Sequence, residues 1–285
     1  MNTIQPLNPI LFEIGSLQIH WYAVLIISGA LLALWLSIRE GKRVGIKSDL
    51  YFDIFLYGFP ISILCARIYY VIFKWSYYSK HLNEVFAIWN GGLAIHGAII
   101  GGAIFLIVLC KKRREDTLLV LDTIAPNFIL AQAIGRWGNF MNQEAHGGVV
   151  PGADLEAQRQ FLENMRLPDF IINQMYINGA YYHPTFLYES LWNILGFILL
   201  IILRRTKLFY KGDLIASYIL WYSFGRFFIE GMRTDSLYAF GTLRTAQIIS
   251  IALMVGSALF ILIRRLNKNK REKRYIDYLE NRFFI

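Results

Sequence analysis

"TLLVLDTIAPNFILAQAIGRWGNFMNQEAHGG", residues 117–148, is the stretch on which the reading of the fold turns. It opens as an apolar run of the length that crosses a bilayer, about 20 residues. It ends by crowding Arg136, Asn139, Asn142 and Glu144 into nine positions. A cation at the hydrocarbon centre costs about 2.5–3.5 kcal/mol even on the translocon-insertion scale, so a helix made for lipid carries such a cluster only where partners or water receive it.

The remainder of the chain has the same character. Of its 285 residues 56% are hydrophobic and 17% charged, and the mean hydropathy is +0.41. This is the composition of an integral membrane protein. Seven apolar stretches, 20–38, 51–73, 93–110, 117–140, 185–203, 213–232 and 242–263, are expected to be transmembrane helices. The expected fold is an all-α polytopic membrane protein. The first stretch has no positive charge before it and no small-residue cleavage site after it, so it is read as a retained helix and not a signal peptide. No internal repeat or low-complexity linker divides residues 1–285, which are read as one membrane domain. Its main departure is an insertion, 141–184, between spans 4 and 5, with a short amphipathic helix expected near "DLEAQRQFLENM", 154–165.

The net charge of +9 does not indicate nucleic acid, because the basic residues flank the spans. Arg39, Lys42, Arg43 and Lys47 follow the first span, "KKRR" follows the third, and Arg204, Arg205, Lys207 and Lys211 follow the fifth. Eight more occupy the tail 264–285. The alternate connections hold only Lys74, Lys80, Arg159, Arg166 and Arg233. The positive-inside rule then sets the N-terminus outside, the insertion outward and the tail in the cytoplasm, where its basic residues are drawn to anionic inner-leaflet lipid. Cys65 and Cys110 both fall in spans, which indicates neither a disulfide framework nor a metal cluster.

This orientation gives every polar residue a depth. Counting 1.5 Å per residue from the cytoplasmic ends, Arg136 lies about 28 Å up, Arg226 about 20 Å and Arg233 about 30 Å. Arg67 falls in the outer half, and Tyr22, His96 and His183 lie near the outer ends of their spans. Tyr222, Arg226, Glu230 and Arg233 are spaced 4, 4 and 3 apart, which at about 100° per residue confines them to an arc of about 80°. Glu230 can pair with Arg226 or Arg233 and leave the other for a ligand. Gln132, Arg136 and Asn139 share a face of span 4 in the same way. Such a set is either a group of interhelical ion pairs or the lining of a polar cavity. As a cavity at headgroup level it suits a phosphate, whose oxygens match guanidinium forks. His96 in "NGGLAIHGAIIGG", 90–102, is either a packed histidine or, beside an anion site, a proton acceptor.

Taken together, "GGLAIHG", "GRWGNFMNQEAHG", "HPTFLYE" and "GRFFIEGMR" resemble the prolipoprotein diacylglyceryl transferase family over nearly the whole chain. The resemblance implies an enzyme of the bacterial plasma membrane, with its active site toward the outer leaflet. Such an enzyme moves diacylglyceryl from phosphatidylglycerol to the lipobox cysteine of a prolipoprotein signal peptide, forming a thioether and releasing glycerol phosphate. It implies Arg136 and Arg226 as essential lipid-binding arginines, with Tyr22, His96, Asn139, Glu144, Gly147, Glu230 and Arg233 as further functional positions; the expected catalytic set is His96, which could take the thiol proton, with Arg136 and Arg226 at the departing phosphate, and the others are expected to bind substrate. Tyr222, His183 and Arg67 are secondary candidates. The expected partners are phosphatidylglycerol, the signal peptide and membrane lipids, with no nucleic acid, cofactor or metal. A transporter for an anion would also use buried arginines, but it places its site near the midplane between repeated halves. A different phospholipid-headgroup enzyme would share the arginines.

Overall fold

A computed structural model of the chain describes residues 5–15, 17–234, 238–240, 243–266 and 273–280. Strand β1 (Ile10–Ile14) pairs antiparallel with β2 (Leu17–His20), which runs directly into α1 (Trp21–Val44). Then come α2 (Ser48–Phe73), a single turn α3 (Trp75–Tyr78), two 3-10 turns at Leu82–Glu84 and Ile88–Asn90, α4 (Ile95–Arg113) and α5 (Thr117–Met141). Two short helices, α6 (Leu155–Asn164) and α7 (Asp169–Gln174), and a ribbon of β3 (Tyr176–Ile177) with β4 (Ala180–Tyr181) precede α8 (Thr185–Leu203) and α9 (Asp213–Met232). A last ribbon, β5 (Tyr238–Phe240) with β6 (Leu243–Arg244), leads into α10 (Thr245–Leu266), and α11 (Asp277–Glu280) is the last element among the described residues.

Six of these helices, α1, α2, α4, α5, α8 and α10, are long and apolar enough to cross a membrane. The remaining expected span, 213–232, forms the 20-residue helix α9. It falls outside that group because Arg226, Glu230 and hydroxyl-bearing residues such as Tyr218, Tyr222 and Ser223 lower its hydropathy. Outward faces of the apolar helices carry large side chains: Trp35, Phe59, Ile99 and Leu262 are 56, 60, 63 and 52% exposed. Apolar surface this continuous is suited to lipid and not to water. Pro60 and Pro126 lie inside α2 and α5, which neighbouring helices and hydroxyl groups make tolerable in membrane helices.

The chain divides into two compact units, one of Met1–Ala33 with Ile124–Asp277 and one of Leu34–Thr123 with Tyr278–Ile285. In the second unit α2 and α4 lie side by side. Tyr51, 1% exposed, shares a 2.7 Å hydrogen bond with Thr123 Oγ1.

In the first unit α8 packs on α9, and α9 on α10. Helix α5 is laid against α8 through Ser190, whose hydroxyl donates to the Ala133 carbonyl at 3.0 Å and accepts from Trp137 Nε1 at 3.2 Å. The segment between α5 and α8 has a core of its own. Phe140, Leu162, Ile172 and Phe186 are buried together, and α6 starts where the sequence leads one to expect, with Asp154 accepting a hydrogen bond from Ala157 N at 2.8 Å. Gln174, buried, ties this segment to its neighbours. Its Nε2 donates to the Phe140 and Met141 carbonyls at 3.0 and 3.3 Å, and its Oε1 accepts from Leu7 N at 2.8 Å. Those carbonyls end α5 and have no partner within the helix.

At the opposite end of the same unit the chain folds back on the α8–α9 connection. Tyr275 is fully buried, its N–H donates to Phe209 O at 2.8 Å, and Arg265 pairs with Asp213 at 2.8 Å. Of the basic tail expected over 264–285, residues 267–272 and 281–285 lie outside the described residues.

Candidate functional site

Three helices of the first unit each bring a charged residue to one point. Arg136 comes from the last turns of α5, Glu189 from the first turns of α8, and Arg226 with Glu230 from α9. Glu189 stands between the arginines: its Oε1 is 2.5 Å from Arg136 Nη2 and its Oε2 is 3.4 Å from Arg226 Nη1. Arg226 Nη2 also reaches Glu230 Oε2, one helical turn on, at 2.5 Å. This is the pairing expected from the four-residue spacing. The carboxylates are the deep members of the group. Side-chain exposure is 4% for Glu189 and 5% for Glu230, against 21% for Arg136 and 18% for Arg226. Both oxygens of Glu189 and Oε2 of Glu230 meet a guanidinium, and this pairing is what makes the buried carboxylates tolerable.

A second ring of polar residues surrounds Arg136. Its Nη1 donates to Asn139 Oδ1 at 3.3 Å, Asn139 Nδ2 donates to Glu144 Oε1 at 2.8 Å, and Asn142 Nδ2 reaches the same oxygen at 3.5 Å. The "RWGNFMNQE" segment is therefore one connected polar network closing the C-terminal end of α5. Tyr22 packs here as well. At Gly138 a Cβ would stand 2.7 Å from its ring, so α1 and α5 approach closely at this level.

Gly147 and Arg233 form an isolated backbone bridge. Gly147 N donates to His183 O at 2.9 Å and Gly148 N to Met232 O at 3.0 Å, which joins the loop after α5 to the start of α8 and the end of α9. Any side chain at 147 would meet His183 Cβ at 2.7 Å and Thr185 Cγ2 at 3.1 Å, so the close crossing of these segments requires glycine. His183 Nδ1 lies 3.2 Å from the Tyr188 hydroxyl, and its ring meets Phe161 edge-on. Burial holds its pKa below the ordinary histidine value, which favours the neutral ring. Tyr222, a turn before Arg226, stacks on Tyr218 with ring centroids 6.1 Å apart.

An open groove of about 530 Å³ in the same unit is walled by Leu7, Trp21, Leu25, Trp137 and Phe170. Trp137 belongs to both surroundings, since its indole lines the groove while its Nε1 donates to Ser190, the neighbour of Glu189.

Arg136, Arg226, Glu230, Asn139, Glu144, Gly147, Arg233, Tyr22, Tyr222 and His183 thus all belong to the first unit, while His96 and Arg67 belong to the second. His96 lies in the first turn of α4, exposed, with its ring centroid 6.2 Å from that of Tyr69. Arg67 is buried and bound to backbone carbonyls. Glu189, the last residue of "HPTFLYE", is not among the candidates expected from the sequence. The signal was available: Glu189 is the one carboxylate in the apolar run 185–203, and an ionisable residue inside a span is a functional candidate by default.

A family model described as prolipoprotein diacylglyceryl transferase matches residues 9–263. A curated relative from Bacillus velezensis is 53% identical over 272 residues, covering 95% of this chain and 97% of the relative. One from Limosilactobacillus reuteri is 56% identical over 264 residues, 92% and 93% of the two chains. One from Listeria monocytogenes is 50% identical over 282 residues, 99% and 97%. All three are named phosphatidylglycerol–prolipoprotein diacylglyceryl transferase.

Proposed function

The chain belongs to the prolipoprotein diacylglyceryl transferase family, and from that premise we propose that it transfers diacylglyceryl from phosphatidylglycerol to the lipobox cysteine thiol of prolipoproteins, using Arg136 and Arg226 to hold the phosphate. It is a transferase of lipoprotein biosynthesis and a multi-pass bacterial membrane protein. With α9 added to the six apolar helices the spans number seven, the N-terminus is outside, the segment 141–184 faces outward and the site opens toward the outer leaflet.

The reaction forms a sulfur–carbon bond at the glycerol carbon that carries the phosphate ester and breaks the carbon–oxygen bond there. Glycerol phosphate leaves with the electron pair. A cysteine thiol has an ordinary pKa near 8.5 and attacks as the thiolate, so a positive cavity that lowers this value promotes the step. We assign the released proton to His96, on the strength of its motif. Negative charge grows on the departing phosphate, and guanidinium groups aimed at it stabilise the transition state. Asn139, Glu144 and Glu230 orient the two arginines; Tyr22, Gly147 and Arg233 shape the surroundings.

The observation that carries this reading is the shared carboxylate. Glu189 fixes two guanidiniums from different helices side by side from below, and each keeps about a fifth of its surface open. A group of ion pairs serving stability alone has no need to leave the cations as its exposed members. In a purified assay with labelled phosphatidylglycerol and a lipobox peptide, mass transfers to the peptide thiol. Arg136→Ala and Arg226→Ala each reduce the rate by at least about 10²–10³, the usual loss for one transition-state donor. Unchanged turnover in either variant rejects that residue's role, and no transfer by the folded wild-type protein returns weight to an anion transporter.

A further inference from the structure

A guanidinium inside an apolar helix has to be received by something, and the partners of Arg67 are all neutral. On α2 and 3% exposed, it donates from Nη2 to Glu84 O at 2.7 Å and from Nε to Val85 O at 2.8 Å. From Nη1 it donates to Gly91 O at 2.8 Å and to Gly92 O at 3.0 Å. These use four of the five donor hydrogens of the fork. The rings of Tyr78 and Tyr70 lie 5.2 and 6.0 Å from its guanidinium carbon, within cation–π range. A phosphate would have to displace carbonyls that already match the fork, so Arg67 is not built as an anion grip.

What it grips is the approach to His96. Gly91 and Gly92 both have positive φ, +79° and +73°, and both of their carbonyls are bonded by the same Nη1. At Gly92 a Cβ would come within 2.5 Å of that Nη1. Two residues on, Ala94 N donates to Ala66 O at 3.1 Å, beside Arg67 on α2. A Cβ at Gly97 would collide with the carbonyl oxygen of Cys65. The start of α4 has no side-chain cap of its own, since Ala94 occupies the N-cap. Residues 91–97 are therefore held at successive points along one turn of α2, at Arg67, Ala66 and Cys65, with His96 between the last two.

We infer that Arg67 is a positioning residue for His96: it fixes the Gly91–Gly92 turn against α2 and so sets where the imidazole stands as α4 begins. The inference rests on His96 being the proton acceptor of the proposed reaction. Lysine keeps the charge but cannot span four carbonyls, and misplacing a reacting group by about 1 Å can cost 10²-fold in rate.

The test uses the purified full-length protein with phosphatidylglycerol and a lipobox peptide, alongside a thermal melt of each variant. Arg67→Lys is expected to lower kcat about 10²-fold while KM for phosphatidylglycerol stays within about threefold. Gly92→Ala breaks the same contact from the other side and gives the same split, which covers the case in which Arg67→Lys does not fold. The double variant is no slower than the slower single one, as for two changes that remove one interaction. A tenfold rise in KM with kcat kept would make Arg67 an anion-binding residue and overturn the inference, as would multiplied losses in the double variant. His96→Ala separates the two levels. If it loses turnover while Arg67→Lys and Gly92→Ala keep theirs, only the positioning role fails; if it keeps full turnover, the proton-acceptor reading fails and the inference with it.

Discussion

Glu189 shows at the scale of one residue how the charge in this site is organised. Breaking a buried ion pair by removing one partner commonly costs 3–5 kcal/mol, because the other charge is left uncompensated. Here the arginines are open to the outside by about a fifth of their surface, so water softens that penalty while the loss of alignment remains. Glu189→Gln keeps the shape and removes the charge. The variant is expected to fold, with a melting temperature a few degrees lower, and to lose about tenfold or more in kcat without a rise in KM for phosphatidylglycerol, since a more positive pocket holds the anion at least as well but aims it worse. Kinetics and a thermal melt on the purified protein check this, and wild-type kcat would make the bridge a bystander. Arg136, Arg226 and Glu230 were legible in the sequence because a charge in an apolar run is costly and so marks a use. Gln174 was not. Its partners are backbone carbonyls of α5 and the N–H of Leu7, and no side-chain pattern records which carbonyls end up unpaired.

At the scale of elements, α8 and α9 are locked by a reciprocal pair. "WNILG", 192–196, and "WYSFG", 221–225, place a tryptophan four residues before a glycine on each helix. The indoles stack with centroids 4.1 Å apart. Each Nε1 donates to the other tryptophan's carbonyl at 3.0 Å, and each ring sits on the other helix's glycine. The device lies one turn from Glu189 on α8 and directly before Arg226 on α9. Gly196→Ala sets two effects against each other. Alanine favours a helix by about 0.5–1 kcal/mol over glycine, but its methyl group collides with the Trp221 indole. Overpacking costs about 1–3 kcal/mol, and the displaced indole loses a hydrogen bond worth about 0.5–1.5 kcal/mol. Destabilisation wins, and a thermal melt of the variant is expected to fall; an equal or higher melting temperature would show that the clamp yields without loss. Sequence reading located all the long helices, yet α1 runs to Val44 and α4 to Arg113, past the ends of their apolar stretches. Hydropathy marks the hydrocarbon thickness, whereas Lys and Arg side chains reach back along the helix toward the interface and let it continue. The two-residue strands β3 and β4 offered no alternation to read, being too short for a period of two to register.

For the whole molecule, the sequence carries orientation more plainly than shape. The division into two compact units joins residues 1–33 to 124–277, a pairing of distant segments that local pattern does not encode. The proposed orientation, by contrast, rests on a plain signal in the sequence. The last turns of α1 and α4, with the short connections after α1, α4 and α8, are rich in Lys and Arg, and the alternate connections hold few of them, an asymmetry that counts most near the ends of spans. On the proposed orientation the site serves the outer leaflet, because Arg136 near the end of α5 and Arg226 in the later half of α9 follow helices that both begin from the basic side. A cysteine-free background, with Cys65 and Cys110 replaced by alanine, allows a direct check. Ala153 and Lys112 are both exposed; the first lies in the segment between α5 and α8, the second in the basic last turn of α4. In intact cells a membrane-impermeant maleimide is expected to label Ala153→Cys and to leave Lys112→Cys unlabelled until the membrane is opened. The reverse pattern would place the arginines at the inner leaflet, away from any thiol arriving on the outer side, and the assignment of phosphatidylglycerol binding to Arg136 and Arg226 from that side would fall with it.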